Sequence, residues 1–356
     1  VRIAGVIDAD GHVSEPTETW EQYLPSEYQI YAPRRLRDQH GNHRNAVAGE
    51  LLPHIPQPPE WLRPDRPTGG FDPKARLVDM DAEGIERSVL FPTVGLFFGG
   101  VEDPEIEAVL CRAYNDWLAD FCATDPARLL GVATVPQGDI DAAVDELQRA
   151  VGEHDFCGVM VRPNVLHGRT LDHPDYEPLW AVVEDLGVTL SVHEGTTLNV
   201  AQSGDRYENF AFRHACSHPH EQQMGMLSLI CGGVLERHPD LRVVFLESGC
   251  GWVPAWLERL DEHMEHWRHA TNPLPLEPSE YFARQCFVST EPDERTLPQV
   301  LQVLGEENIV FASDYPHPDG IFPGVVTALS ERDDVSDVAK IKILAQNPAR
   351  CFDLDG

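Results

Sequence analysis

The chain has 356 residues, 42% of them hydrophobic and 8% aromatic, enough apolar surface for a large core, which excludes intrinsic disorder. Its 59 acidic residues against 27 basic ones give a formal charge of −32, which argues against nucleic acid or an anionic membrane as partner. The eight cysteines show no Cys-x-x-Cys spacing, no run approaches the roughly 20 apolar residues of a membrane span, and no signal-peptide pattern opens the sequence. The expectation is therefore a reduced, cytoplasmic protein.

The first predicted strand, 3–10, runs into Asp10-Gly11-His12. Period-two geometry turns Asp10 and His12 to the same side of an extended segment. Residues 20–75 then break the rhythm with many Pro, Arg and His residues. They include a basic cluster of Arg34, Arg35, Arg37, His40, His43 and Arg44 that either meets an anion or is a solvated loop. Predicted strands follow at 87–92, 129–135, 156–162, 188–194, 242–247, 285–290 and 308–314. Between them lie helical stretches at 103–124, 139–153, 174–186, 220–237, 252–269 and 293–305. Two stretches read as irregular: 195–219, with His214, His218 and His220, and the proline-rich connector 271–284. Eight strands alternating with helices predict an α/β chain, one (β/α)8 barrel domain over 1–356, with 20–75 inserted after the first strand as a cap over the pocket. No Gly-x-Gly-x-x-Gly follows an early strand, which disfavours a dinucleotide-binding sheet.

Four strand ends carry ligand-type side chains: Asp10 and His12, His193 and Glu194, Glu247, and Asp314. A lone strand-end histidine is usually a satisfied core residue, but four such ends suggest a metal held at one mouth of the barrel. Glu247 closes a strongly apolar strand, where a carboxylate without a cation or donor costs several kcal/mol. Glu194 adjoins His193, so alternation turns it outward unless the strand bends. His218, in Ser217-His218-Pro219-His220-Glu221, reads as ligand, acid/base or loop residue; His317 and Glu15 are further candidates, Glu15 equally a turn cap.

Three further stretches carry a resemblance: Phe71-Asp72-Pro73-Lys74-Ala75-Arg76-Leu77-Val78-Asp79-Met80-Asp81, Gly232-Gly233-Val234-Leu235-Glu236-Arg237-His238-Pro239 and Asn347-Pro348-Ala349-Arg350. With the strand ends, the chain resembles the amidohydrolase superfamily, in the branch of aminocarboxymuconate semialdehyde decarboxylase and the resorcylate-type decarboxylases. Two departures stand out. The resemblance implies His-x-His or Glu-x-His on the first strand, where this chain has Asp10-Gly11-His12, and a catalytic histidine at the end of the sixth, where it has Glu247.

Asp10, His12, His193, Glu194, His218, Glu247 and Asp314 are too many ligands for one four- or five-coordinate ion. They read as a two-metal set bridged by Glu247 or Glu194. That pattern resembles the non-heme diiron monooxygenase type of platensimycin and platencin biosynthesis. The resemblance implies two iron ions (zinc or manganese otherwise) and O2 as co-substrate. It implies Asp314, His218 and Glu247 as catalytic groups and hydroxylation of a bulky apolar terpenoid or acyl substrate, possibly a coenzyme A ester. Two alternatives stand beside it: a hydrolase in which Asp314 takes the proton of metal-bound water, and a non-oxidative decarboxylase in which His218 replaces the missing sixth-strand histidine. A homodimer is expected for large barrels of this kind.

Overall fold

Apolar runs too short for helices, with β-branched residues and buried on both faces, form parallel strands. A computed structural model describes residues 3–56, 68–195, 199–271, 273–318 and 320–354. Its strands are β1 (Val6–His12), β2 (Arg34–Arg37), β3 (His43–Val47), β4 (Glu50–Leu51), β5 (Ile85–Phe91), β6 (Leu129–Thr134), β7 (Gly158–Val161), β8 (Thr189–Val192), β9 (Val243–Phe245), β10 (Cys286–Thr290) and β11 (Ile309–Phe311). Eight of them make one parallel sheet in the order β1-β5-β6-β7-β8-β9-β10-β11. Its two edges meet where Asp314 N donates to Asp10 O (2.9 Å) and His12 N to Tyr315 O (2.7 Å). The result is a nearly closed (β/α)8 barrel whose closing seam lies at Asp10, His12 and Asp314.

The helices are α1 (Thr17–Tyr23), α2 (Pro73–Glu83), α3 (Pro104–Cys122), α4 (Ile140–His154), α5 (Glu177–Leu186), α6 (Phe210–Cys231), α7 (Val234–Arg237), α8 (Val253–His266), α9 (Pro278–Gln285) and α10 (Leu297–Leu304), with shorter ones after β11. Their starts are written in the sequence. Asp72, Asp103 and Asp139 cap α2, α3 and α4 by accepting backbone N–H groups of the first turn, and Pro73 and Pro104 occupy first-turn positions.

Two expectations are corrected here. The stretch 195–219 is not irregular throughout: α6 begins at Phe210 behind the Asn209 cap and carries His214, His218 and His220 on the helix itself, while 196–198 lie outside the described residues. Polar residues and Pro219 inside that helix hide its periodicity. The connector 271–284 contains most of α9, started by Pro278 and by a capping box between Glu277 and Glu280.

Between β1 and β5, strands β2, β3 and β4 form an antiparallel sheet, with Arg35 opposite Asn45 and Arg37 opposite His43. Part of the predicted cap, 57–67, lies outside the described residues. All eight cysteines are free thiols. Among the described residues no helix is long and apolar enough to cross a membrane.

Candidate metal centre

The site starts beneath the ligands, in a buried polar platform. Asp8 accepts from Ser313 N (2.9 Å), Ser313 Oγ (2.7 Å) and Ser88 Oγ (3.0 Å). Arg76, fully buried, donates to His12 O (2.8 Å) and Ser88 Oγ (2.9 Å). Gly11 sits against this platform. A Cβ there would collide with the Arg76 guanidinium, Ser88 Oγ and Asp8 Oδ2, so glycine lets β1 run this close. The β1–β5 register shifts between Asp8 and Gly11, an irregularity of the kind that re-aims side chains at a barrel rim.

Above the platform four side chains converge. Asp10 Oδ1 lies 3.4 Å from His12 Nε2 and 3.5 Å from His193 Nε2. The two Nε2 atoms are 3.3 Å apart, and Asp314 Oδ1 is 3.5 Å from His12 Nε2. Their other ring nitrogens settle the tautomers. His12 Nδ1 faces Pro92 O at 2.8 Å and His193 Nδ1 faces Glu194 O at 2.7 Å. A carbonyl only accepts, so both Nδ1 atoms carry the proton and both Nε2 atoms present lone pairs to each other and to the carboxylates. Neither oxygen of buried Asp10 accepts a hydrogen bond among the described residues.

Lone pairs and anions crowded at these separations repel unless a cation lies between them. Ligands of one ion at about 2.1 Å stand about 3.4 Å apart in a tetrahedron, the spacing of Asp10, His12 and His193 here. Asp314 groups instead with His12, Glu247 and His317, whose ligand atoms all lie within 4.8 Å of one another. Histidines anchored by Nδ1–H to carbonyls are the usual metal-ligand arrangement. The residues therefore fit a divalent ion. Burial, reinforced by His317, pushes His12 down to about 3, which keeps its imidazole neutral.

Glu247 and Asp314 both have φ of 52°, a left-handed conformation uncommon for these residues and typical of strained functional sites. Glu247 Oε2 reaches within 3.3 Å of His193 Nε2. His218 on α6 faces Glu247 O with Nδ1 (3.0 Å) and Glu194 Oε2 with Nε2 (3.3 Å). Its ring stacks on His214, with centroids 4.0 Å apart. Glu194 is turned inward, against the alternation expectation, because β8 ends at Val192 and the chain bends before it. There it accepts from Arg162 Nη2 (3.3 Å) and Gln202 Nε2 (2.5 Å). Burial raises its pKa against the pull of Arg162.

His317 stacks on His12 and faces Asp314 Oδ1 at 2.8 Å and Thr93 Oγ1 at 2.9 Å. Glu15 serves as a loop cap, accepting from the backbone N–H groups of Thr93, Val94 and Gly95. Arg162 and Arg76 were not among the predicted site residues. Arg162 ends an apolar strand just as the candidates do, so the same signal applied to cations finds it. Above the cluster opens a cavity of about 620 Å³, with His214, His218, Glu247 and His317 in its lining.

A family model described as amidohydrolase matches residues 7–354. The gamma-resorcylate decarboxylase of Rhodococcus jostii is 32% identical over 304 residues, covering 79% of this chain and 87% of that protein. The 2-amino-3-carboxymuconate-6-semialdehyde decarboxylase of Dictyostelium discoideum is 27% identical over 292 residues, covering 80% of this chain and 77% of that protein. A solved dihydroxybenzoic acid decarboxylase from Polaromonas, with bound manganese and 2-nitroresorcinol, superposes with a TM-score of 0.71 at 22% identity, over 99% of this chain and 98% of that one. These relatives are decarboxylases, which overturns the expectation of an oxidoreductase: dinuclear iron, O2 as co-substrate and terpenoid hydroxylation find no support among them. The acidic ligand set that suggested two irons is accounted for otherwise at one position, since Glu194 is held by Arg162 and Gln202. By the span of the family match and by its relatives, the chain belongs to the amidohydrolase family, in the branch of these decarboxylases.

Proposed function

We propose that the protein is a divalent-metal-dependent decarboxylase that removes CO2 from an aromatic or enoic carboxylic acid without oxidation. The observation that carries this reading is the buried convergence of Asp10, His12, His193 and Asp314 beside the cavity that Glu247, His218 and His317 line. The similarity to decarboxylases over most of the chain supports it. Asp10, His12, His193 and Asp314 would hold the ion. When bound, it would supply Lewis-acid charge that binds and orients the oxygens of the acid; manganese, present in the Polaromonas relative, is the ion to try first.

The chain's own groups do the rest. Loss of CO2 breaks one C–C bond and leaves its electron pair on carbon, so that carbon must gain one proton. Glu247 stands where the resemblance implies a histidine, and His218 on the cavity wall is the replacement donor. Its Nδ1–H is committed to Glu247 O, and a proton on Nε2, which lies 3.3 Å from Glu194 Oε2, is the one to be delivered. Arg162 fixes Glu194, and with it the donor, through two further bonds to Leu96 O and Gly195 O. His317, held by Asp314 and Thr93, closes the opposite side.

The test is manganese-loaded protein with 2,6-dihydroxybenzoate, related hydroxybenzoates and an enoic diacid under strict anaerobiosis in D2O. CO2 release with one deuterium at the vacated carbon is expected. His218→Asn is expected to keep the metal and lose at least about 100-fold in rate, within the range of a general acid. No CO2 from any of these acids, or full activity in His218→Asn, overturns the reading or the role of His218 respectively.

A further inference from the structure

The cavity is larger than a one-ring acid needs. At about 620 Å³ it lies mid-way in the range of roughly 300–1,000 Å³ that holds drug-sized ligands. Its walls above the centre are apolar, with Trp20, Phe97 and Phe210 among the lining side chains. Its mouth is not. Arg35, His43 and Asn45 line it from the insertion between β1 and β5.

These three share a face. Arg35 pairs directly with Asn45 and Arg37 with His43 in the antiparallel β2–β3 ladder, so the four side chains project to the same side. The side chains of His43 and Asn45 make no hydrogen bond among the described residues. Arg35, and then Arg37, lie close enough to His43 to disfavour its protonation. In a chain of formal charge −32, Arg34 and Arg35 of β2 bring two guanidinium groups to the lining of the cavity.

We propose that this face is an anion subsite, and that the substrate is a two-ended acid. One carboxylate reacts at the floor, an apolar body lies along Trp20, Phe97 and Phe210, and a second anionic group, carboxylate or phosphate, is bound by Arg35, His43 and Asn45. The acid head of this substrate rests on the decarboxylase reading; the rim does not. Arg35 offers paired N–H donors in a fixed fork, His43 and Asn45 add neutral donors, and the aromatic wall between rim and floor selects length.

The test uses full-length, manganese-loaded protein and calorimetric titration with four acids. They are 2,6-dihydroxybenzoate and the same acid carrying a long alkyl chain that ends in methyl, carboxylate or phosphate. An anionic end is expected to bind at least about 10-fold tighter than methyl, the worth of a charge-assisted hydrogen bond, and the better of carboxylate and phosphate names the source. Arg35→Gln, at an exposed position, should erase that preference without changing the affinity of 2,6-dihydroxybenzoate itself. Asn45→Asp should reverse it. Methyl-ended acid binding as tightly as the anionic ones, or a preference that survives Arg35→Gln, overturns the subsite. CO2 release is scored separately: a preference without CO2 refutes only the reaction, and CO2 without a preference refutes only the rim.

Discussion

Asp10 carries more of the site than its two neighbours because its carboxylate is the buried anion between two inward-facing imidazole lone pairs. With neither oxygen taking a hydrogen bond among the described residues, its charge has a use only if an ion is present. Asp10→Asn keeps the shape, removes the charge and turns one oxygen into a donor. Manganese affinity is expected to fall by more than the 10–100-fold that loss of an outer hydrogen-bond partner costs, read as metal content after equilibrium dialysis beside the wild type. Equal metal content would remove Asp10 from the ligand set. That Asp10, His12, His193 and Asp314 come together was legible, since each follows an apolar strand and parallel strands of a barrel end at one mouth. For Glu194 the sequence left the direction open, because alternation holds only while the strand lasts, and β8 ends at Val192. Gly11 was invisible as a requirement: its meaning is the approach of Arg76, 65 residues further along the chain and recognisable only in three dimensions.

At the scale of elements, caps and strand runs were readable and helix starts without apolar periodicity were not. Strands β6 and β10 fall within one residue of their predicted bounds, whereas α6 begins ten residues before the expected start, in a stretch whose histidines face the site. The β2–β4 sheet was missed because basic residues on both faces of β2 erase the alternation that marks a half-buried strand. The junction of α3 with the loop after β6 yields a prediction of its own. Glu107, buried in the first turns of α3, accepts from Gln137 N (3.0 Å) and Gly138 N (2.9 Å). Burial nevertheless outweighs those bonds and the nearby Arg169, pushing its carboxyl up to about 8. The folded state therefore binds more protons than the unfolded one between the ordinary glutamate range and pH 8. Stability present at pH 4 is lost as pH rises through that window, by a few kcal/mol in all. Glu107→Gln cannot titrate but gives up one of the two acceptors, a cost of about 1–3 kcal/mol at every pH. Denaturant unfolding should show the variant less stable than wild type at pH 5 and level with it, or above it, at pH 8. Parallel curves would mean that Glu107 stays ionised in the fold.

At the scale of the whole molecule, the candidate ligands tie the first barrel strand to the fifth and the last. Asp10 and His12 end β1, His193 follows β8 and Asp314 follows β11, across a seam that, among the described residues, two backbone hydrogen bonds close at the rim. An ion there can be held fully only by the closed barrel, because the unfolded chain separates these residues by up to 304 positions. Metal binding is then folding free energy: at a free concentration 1,000 times the dissociation constant it adds about 4 kcal/mol. For a chain of 356 residues, with an unfolding entropy of about 2.1 cal/mol/K per residue, that corresponds to about 5 °C in Tm. Chelation should lower Tm by that order, manganese should restore it, and the restoration should depend on metal concentration. Asp10→Asn supplies the control, since its Tm should barely respond to added manganese while the fold itself survives. A wild-type Tm that ignores complete removal of the metal would mean that the seam is closed by the polypeptide alone. The cluster would then be a set of neutralised side chains without an ion, and the metal-dependent reading would fall with it.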